Sequence, residues 1–138
     1  MRNRSVPNAS VIPEIAYPDV VEAAEWLSRA FGFRKRLRIA NHRFRLSYGN
    51  GAIVVIELPE GAAPDTGTRS VLVLVDDVDA VYERGVAAGA MPVHPPEDQP
   101  YGERQCSVRD PAGYRWTFSQ SIADVDPAEW GGTVIDLS

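Results

Sequence analysis

The sequence predicts an α+β fold built from two similar βαβββ modules. An apolar stretch, an aspartate and an amphipathic helix occur twice in the same order, and the aspartates, Asp19 and Asp77, are 77 − 19 = 58 residues apart. A glycine precedes the last apolar stretch of each half, and these glycines, Gly51 and Gly113, are 113 − 51 = 62 residues apart. Nearly constant spacing indicates an internal repeat and predicts a functional site between the halves.

The first module is predicted to span residues 10–58. Asp19 is expected to cap its helix, whose apolar residues recur at helical spacing, and Gly32 to end it. A glycine-rich turn at residues 49–51 then leads into the last strand. The predicted strands are residues 11–17, 33–40, 42–48 and 52–58.

A linker rich in proline, glycine and threonine, residues 59–69, separates this module from the second, residues 70–122. Asp77 is expected to cap the second helix. We expect the prolines of HPPEDQP to end the following strand at His94, because proline lacks a ladder donor. The other predicted strands are residues 70–75, 103–109 and 114–122, and the tail is residues 123–138.

Length and composition indicate one compact domain over residues 1–138 in a reducing compartment. The net charge of −5 and the pI near 5.0 argue against nucleic-acid binding, which needs a basic surface. A single cysteine, Cys106, cannot form an internal disulfide. No segment resembles a signal peptide or a membrane span. We therefore expect a cytoplasmic protein without membrane or nucleic-acid partners.

The doubled order and three motifs, VDDVDA, YGER and DPAGYRWTF, carry a resemblance to a known family. Over roughly residues 10–122 the chain resembles the vicinal oxygen chelate superfamily, which includes glyoxalase I, extradiol dioxygenases and the bleomycin-resistance proteins. The resemblance implies curled mixed sheets around a central cavity, with the two modules facing one another. It is specific for the fold and weak for any one activity.

In metal-binding members of that superfamily, the ligands lie at the start of the first strand and near the end of the last strand of each module. The resemblance implies that the corresponding positions in this sequence are Ile12, Val55, Ser70 and Thr117. Aliphatic side chains offer no lone pair, and neutral hydroxyls are poor ligands beside imidazole or carboxylate. We therefore predict no metal and no cofactor.

Strand alternation predicts which side chains line the cavity. If Ser70 and Thr117 point inward, then Arg115 does too, whereas Trp116 packs on the helix. In the first module, Glu14 is expected to share the face of Ile12, and Glu57 the face of Val55.

Arginines occupy one face of the second and third strands of the first module, at Arg34, Arg36, Arg38, Arg43 and Arg45. The opposite, apolar faces carry Phe33, Leu37, Ile39, Phe44 and Leu46. The arginines either face the cavity and bind a carboxylate or phosphate, or form a solvated sheet edge protected by charge. Tyr101 has two interpretations as well: it closes over an organic ligand, or it anchors the loop after the prolines.

We predict a metal-free protein that binds and sequesters a small organic molecule, an anionic one if the arginines face the cavity, and that forms a homodimer. One alternative is a lyase, isomerase or dioxygenase of the same superfamily, with displaced metal ligands or with acid–base chemistry by Glu14 or Glu57. Another is an interaction module without a ligand. The candidate ligand-binding residues are Glu14, Arg38, Arg45, Glu57, Ser70, Tyr101, Arg115 and Thr117.

Overall fold

The computed structural model describes residues 2–136. The chain forms two compact units that meet in the sequence between Gly67 and Thr68. Each unit contains one four-stranded mixed sheet and one α-helix, so the predicted pair of βαβββ modules is confirmed.

The first unit begins its regular structure at Glu14, three residues later than predicted. Its elements are β1 (Glu14–Tyr17), α1 (Val20–Phe31), β2 (Arg34–Ile39), β3 (Arg43–Tyr48) and β4 (Gly51–Glu57). The strand order is β1-β4-β3-β2, with β1 parallel to β4 and the other neighbours antiparallel.

The second unit repeats this arrangement. Its elements are β5 (Ser70–Leu74), α2 (Val78–Ala87), β6 (Met91–Asp98), β7 (Glu103–Arg109) and β8 (Arg115–Ser121), followed by a 3₁₀ turn at Pro127–Trp130. The order is β5-β8-β7-β6, and again the first strand is parallel to the last. None of the helices in the described chain is long and apolar enough to cross a membrane.

Both helices begin as the sequence predicts. The carboxylate of Asp19 accepts the backbone N–H of Glu22 at 3.0 Å, and that of Asp77 accepts the N–H of Ala80 at 3.1 Å. These bonds satisfy donors that the first turn of a helix leaves without an intrahelical acceptor. The aspartates therefore fix the same strand-to-helix step in both units.

Strand β6 corrects the prediction that prolines end it at His94. The strand continues to Asp98, with register shifts between Pro92 and His94 and between His94 and Glu97. It lies at the edge of its sheet, where a missing N–H on the open side breaks no ladder bond. The extra residues are accommodated as bulges.

The hairpin between β7 and β8 is organised by a buried carboxylate. Asp110, only 4% exposed, accepts the backbone N–H groups of Ala112 and Tyr114 at 3.1 and 3.0 Å. Its other oxygen accepts the indole N–H of Trp116 at 3.0 Å. Trp116 is fully buried, as predicted. The DPAGYRW motif therefore couples a tight turn to the core of the second unit.

Candidate functional site

The face of the second sheet that lies opposite its buried aromatic core carries rows of polar side chains; we call it the helix-free face. Across the strands, Leu72 pairs with Thr117, Thr117 with Ser107, and Ser107 with His94. Directly paired residues project from the same face of a sheet. One continuous row therefore runs from an aliphatic side chain through two hydroxyls to an imidazole.

Neighbouring rows extend this surface. The row toward the tail contains Leu74, Ser119, Gln105 and Glu97. The row on the other side contains Ser70, Arg115, Arg109 and Met91. Leu72 and Leu74 are 57% and 68% exposed, so an apolar strip borders the polar rows.

A depression of about 280 Å³ lies over these rows. This volume is close to the lower end of the range for small-molecule sites. The depression lies wholly within the second unit, against the helix-free face. Its lining includes His94, Glu97, Gln105, Ser107, Arg115 and Thr117.

Two hydroxyls and a guanidinium form the first hydrogen-bonded group of the depression. The oxygens of Ser107 and Thr117 are 2.9 Å apart, and Nη2 of Arg115 donates to Ser107 Oγ at 3.3 Å. Arginine can only donate, whereas each hydroxyl can both donate and accept. The group therefore offers a ligand a positive charge beside two adaptable hydroxyls.

A second group runs from Tyr101 to a carboxylate. The Tyr101 hydroxyl donates to Gln105 Oε1 at 2.7 Å, and Gln105 Nε2 donates to Ser119 Oγ at 3.3 Å. Ser119 in turn donates to Glu103 Oε1 at 2.6 Å. These bonds hold the Gln105 amide in one orientation in the lining.

Tyr101 also contacts the tail of the chain. Its ring centroid lies 5.6 Å from that of Trp130, which belongs to the 3₁₀ turn. Together with the bond to Gln105, this contact favours the interpretation that Tyr101 anchors its loop. The Tyr101 hydroxyl nevertheless contacts the lining, because its acceptor Gln105 is one of the lining residues.

Cys106 does not supply a nucleophile to the depression. Cys106 is one of the residues that line the depression, but it pairs with Phe118 of the buried core, so its side chain lies on the opposite face of the sheet, and the residue is 1% exposed. Burial raises the pKa of its thiol to about 11. The residue is therefore a protonated thiol at neutral pH.

The first unit places two of the predicted residues on one face of its sheet. Glu14 pairs with Val54, which pairs with Arg45. The Glu14 carboxylate forms an ion pair with Arg43 at 3.1 Å. Nη1 of Arg45 donates to the backbone carbonyl of Ser5.

The prediction that Arg38 shares the face of Arg45 is wrong. A bulge at Arg36 shifts the register, so Leu37 pairs with Arg45 and Arg38 pairs with Phe44. The extra residue reverses the orientation of every side chain after it. Arg38 instead donates to the carbonyl of Ala40 at 2.7 Å and lies over the ring of Phe44, 5.6 Å from its centroid.

The predicted orientation of Val55 and Glu57 is also wrong. Val55 pairs with Phe44 and is fully buried, while Glu57 pairs with Tyr17. Both therefore lie on the core face, although Glu57 is exposed at the end of its strand. In the repeat, Glu14 of the first unit corresponds to Leu72 of the second. Glu14 pairs with Val54, and Leu72 pairs with Thr117. Val54 is thus the counterpart of Thr117.

The residues at the superfamily's ligand positions do not fit a divalent metal. Thr117 and Ser70 offer neutral hydroxyls, and Ile12 and Val54 offer no donor atom. Among residues 2–136, no three histidine, cysteine, aspartate or glutamate side chains lie close enough together to hold a metal ion.

A sequence model of the Glyoxalase/Bleomycin resistance protein/Dioxygenase superfamily matches residues 11–118. The chain belongs to this superfamily. The match includes both helices and all eight strands up to the middle of β8, and thus most of the helix-free face.

The chain is also similar to solved structures and to a curated relative. TioX from Micromonospora sp. ML1 is 36% identical, with a TM-score of 0.66 over 81% of this chain and 98% of TioX. TnmS3, an antibiotic binding protein from Streptomyces sp. CB03234, is 22% identical, with a TM-score of 0.62 over 80% of this chain and 93% of TnmS3. An uncharacterized protein of Mycobacterium bovis is 28% identical over 131 residues, 85% of this chain and 86% of the relative.

Of the predicted site residues, Arg115 and Thr117 line the depression together, and Ser70 pairs with Arg115 at its border. Sequence analysis missed His94, Glu97, Gln105 and Ser107. Alternation along the seventh predicted strand would have placed Gln105 and Ser107 on the face of Thr117, once their pairing was known. No sequence signal gives the orientation of His94 and Glu97, because two register shifts precede them.

Proposed function

We propose that this protein binds and sequesters a small organic molecule on the helix-free face of its second sheet, without a metal ion. The observation that carries the proposal is the depression itself, whose lining is already organised by hydrogen bonds between side chains. Preorganised polar groups reduce the entropy that binding must overcome. TnmS3, which shares the fold, is described as an antibiotic binding protein, and this supports a binding role.

The lining favours a ligand with a polar edge and an apolar side. Arg115 supplies a cation, Glu97 an anion, and Thr117 and Ser107 supply hydroxyls. Leu72 beside them offers exposed aliphatic surface. A ligand that carries both a carboxylate or carbonyl and a hydrogen-bond donor would match this face.

Thermal-shift screening against antibiotics, small carboxylates and divalent metals tests the proposal. A ligand at 100 times its Kd raises the free energy of unfolding by about 2.7 kcal/mol. We expect stabilisation by an organic compound and no change in its Kd when EDTA is added. Loss of binding on chelation would contradict the metal-free proposal.

Thr117→Val then tests the location of the site. Valine keeps the shape of threonine and removes the hydroxyl, so we expect the Kd to rise roughly tenfold, or about 1.4 kcal/mol. Ser121→Ala is the matched control, since Ser121 lies exposed at the end of the same strand and outside the lining. Equal Kd values for the parent and Thr117→Val would contradict the location.

An enzymatic function is the second candidate, because an imidazole and a carboxylate, His94 and Glu97, line the same depression. Such a pair can transfer protons without a metal. His94→Gln would then abolish turnover of a bound compound and leave its Kd within about threefold. Under the binding proposal no compound is turned over.

The homodimer and the cytoplasmic location remain predictions, which light scattering and cell fractionation would test.

A further inference from the structure

The N-terminal segment of the first unit, residues 3–7, lies on arginine side chains of its own sheet. Arg45 on β3 donates to the carbonyl of Ser5. Nη2 of Arg36, from the bulge of β2, lies 3.5 and 3.4 Å from the carbonyl oxygens of Arg4 and Val6. Pro7, the last residue of this segment, is buried. We call residues 3–7 the strap.

A turn centred on Asn3 gives the strap its shape. The side-chain oxygen of Asn3 accepts the backbone N–H of Ser5 at 3.0 Å and the Ser5 hydroxyl at 2.8 Å. The N–H of Val6 donates to the backbone carbonyl of Asn3 at 3.1 Å. Asparagine favours such turns because its side chain mimics a backbone acceptor. The carbonyls of residues 4–6 are thereby left for the arginines.

The strap satisfies these arginines incompletely. Carbonyl oxygens are neutral, and a guanidinium binds a carboxylate about twice as strongly. The Nε–H of Arg45 is buried and has no hydrogen-bond partner among residues 2–136. Glu14, on the same face, binds Arg43 instead. A buried guanidinium donor without an acceptor is costly, so the strap leaves Arg45 in an unfavourable state.

We propose that Arg36 and Arg45 form a binding site for the carboxylate group of an organic ligand, and that the strap is an internal competitor which this carboxylate displaces. The strap contributes only carbonyl bonds, two of them long, and one buried proline. A carboxylate forms charge-assisted bonds, and its two oxygens can accept from Arg45 Nη1 and Arg36 Nη2, the atoms that the strap's carbonyls occupy. This site belongs to the first unit and does not depend on the depression in the second.

Benzoate tests the proposal on the full chain, with benzamide as its neutral analogue and sodium chloride at matched ionic strength to control for screening. We expect benzoate to shift the ¹⁵N NMR signal of Arg45 Nε–H and to move the amide signals of Asn3, Ser5 and Val6 to unstructured positions. Trypsin cleavage after Arg4, followed by mass spectrometry, should become about tenfold faster, because cleavage requires a released segment.

Arg45→Gln should release the strap without benzoate and abolish the response to it. Arg38→Gln is the matched control, because it removes the same charge from the opposite face, and it should respond like the parent. If Arg45→Gln does not fold, Asn3→Ala serves instead, and it should lower the benzoate concentration at half-response severalfold. Equal responses to benzamide and benzoate, an unmoved strap at saturating benzoate, or a lost response in Arg38→Gln would each overturn the proposal.

Discussion

The two units share one strand order, yet their sheets differ on the face that lies opposite the buried core. In the first unit, arginines on this face bind the chain's own N-terminal segment. In the second, the corresponding face carries polar rows whose side chains bind one another and leave a depression of about 280 Å³. The comparison teaches that the same scaffold carries different side-chain chemistry on the two faces. Function must therefore be assigned to each face separately.

The hairpins that precede the last strands differ as well. The first unit uses an exposed turn at Gly49–Gly51, whereas the second uses the buried carboxylate of Asp110. The second hairpin is thus tied to the core through Trp116, whereas Asn50 in the first hairpin is exposed.

The largest expected effect comes from Asp110→Ala. The substitution leaves two backbone N–H groups and the indole of Trp116 without their acceptor, so the free energy of unfolding should fall by roughly 3 kcal/mol. Asn50→Ala in the first hairpin is the counterpart and should cost less than about 0.5 kcal/mol, since Asn50 is exposed. Urea denaturation measures both values. Equal losses would show that the two hairpins contribute alike.

Gly102→Ala should have the next largest effect. Gly102 has φ of +82°, and a Cβ there would lie 2.1 Å from the carbonyl oxygen of Ala123. Gly61 is the matched control, with φ of +80° and no heavy atom within 4 Å of its Cβ position. Gly61→Ala should cost about 1 kcal/mol through the backbone alone, and Gly102→Ala roughly twice that. Urea denaturation measures both, and equal costs would show that Ala123 moves aside freely.

The smallest effect concerns ion pairs that tie each helix to its sheet. Lys35 on β2 binds Glu25 of α1, and Arg104 on β7 binds Asp79 of α2 with both Nε and Nη2 at 3.0 Å. Hydrogen bonds from these partners hold the pKa of Glu25 and of Asp79 below their ordinary values. A carboxyl whose pKa is lowered by folding stabilises the protein above its ordinary pKa and loses this contribution as the pH falls through its folded pKa.

Thermal stability should accordingly begin to decline as the pH falls below the ordinary carboxyl pKa of about 4, and it should keep declining until these carboxyls are protonated in the folded protein. Asp79→Asn and Glu25→Gln should each reduce that decline slightly, because exposed pairs contribute little. Asp79→Asn should have the larger effect, since Arg104 binds it through two nitrogens while Lys35 offers a single ammonium group. A pH profile of Tm for the parent and both variants measures this order. A larger effect of Glu25→Gln than of Asp79→Asn would show that Arg104 does not hold its carboxylate more strongly than Lys35 does.

Local signals in the sequence predicted the fold well. The aspartate caps, helical spacing and turn residues act over a few neighbours, so they can be interpreted without knowing the tertiary structure. Alternation also gave the correct faces for Arg115, Trp116 and Thr117, because β8 is regular.

The errors arose where pairing between strands decides the outcome. The bulge at Arg36 reversed the orientation of Arg38, and the register of β3 with β4 placed Val55 in the core. His94 and Glu97 reach the depression only because an edge strand tolerates proline and two shifts of register. None of these features has a local signature, since each depends on what the neighbouring strand presents.

The prolines of β6 have a consequence for self-association. Pro92, Pro95 and Pro96 carry no N–H, so this outer strand cannot supply a full set of donors to an incoming chain. Addition of a foreign strand, the first step toward fibrils, is therefore disfavoured along this border of the second sheet.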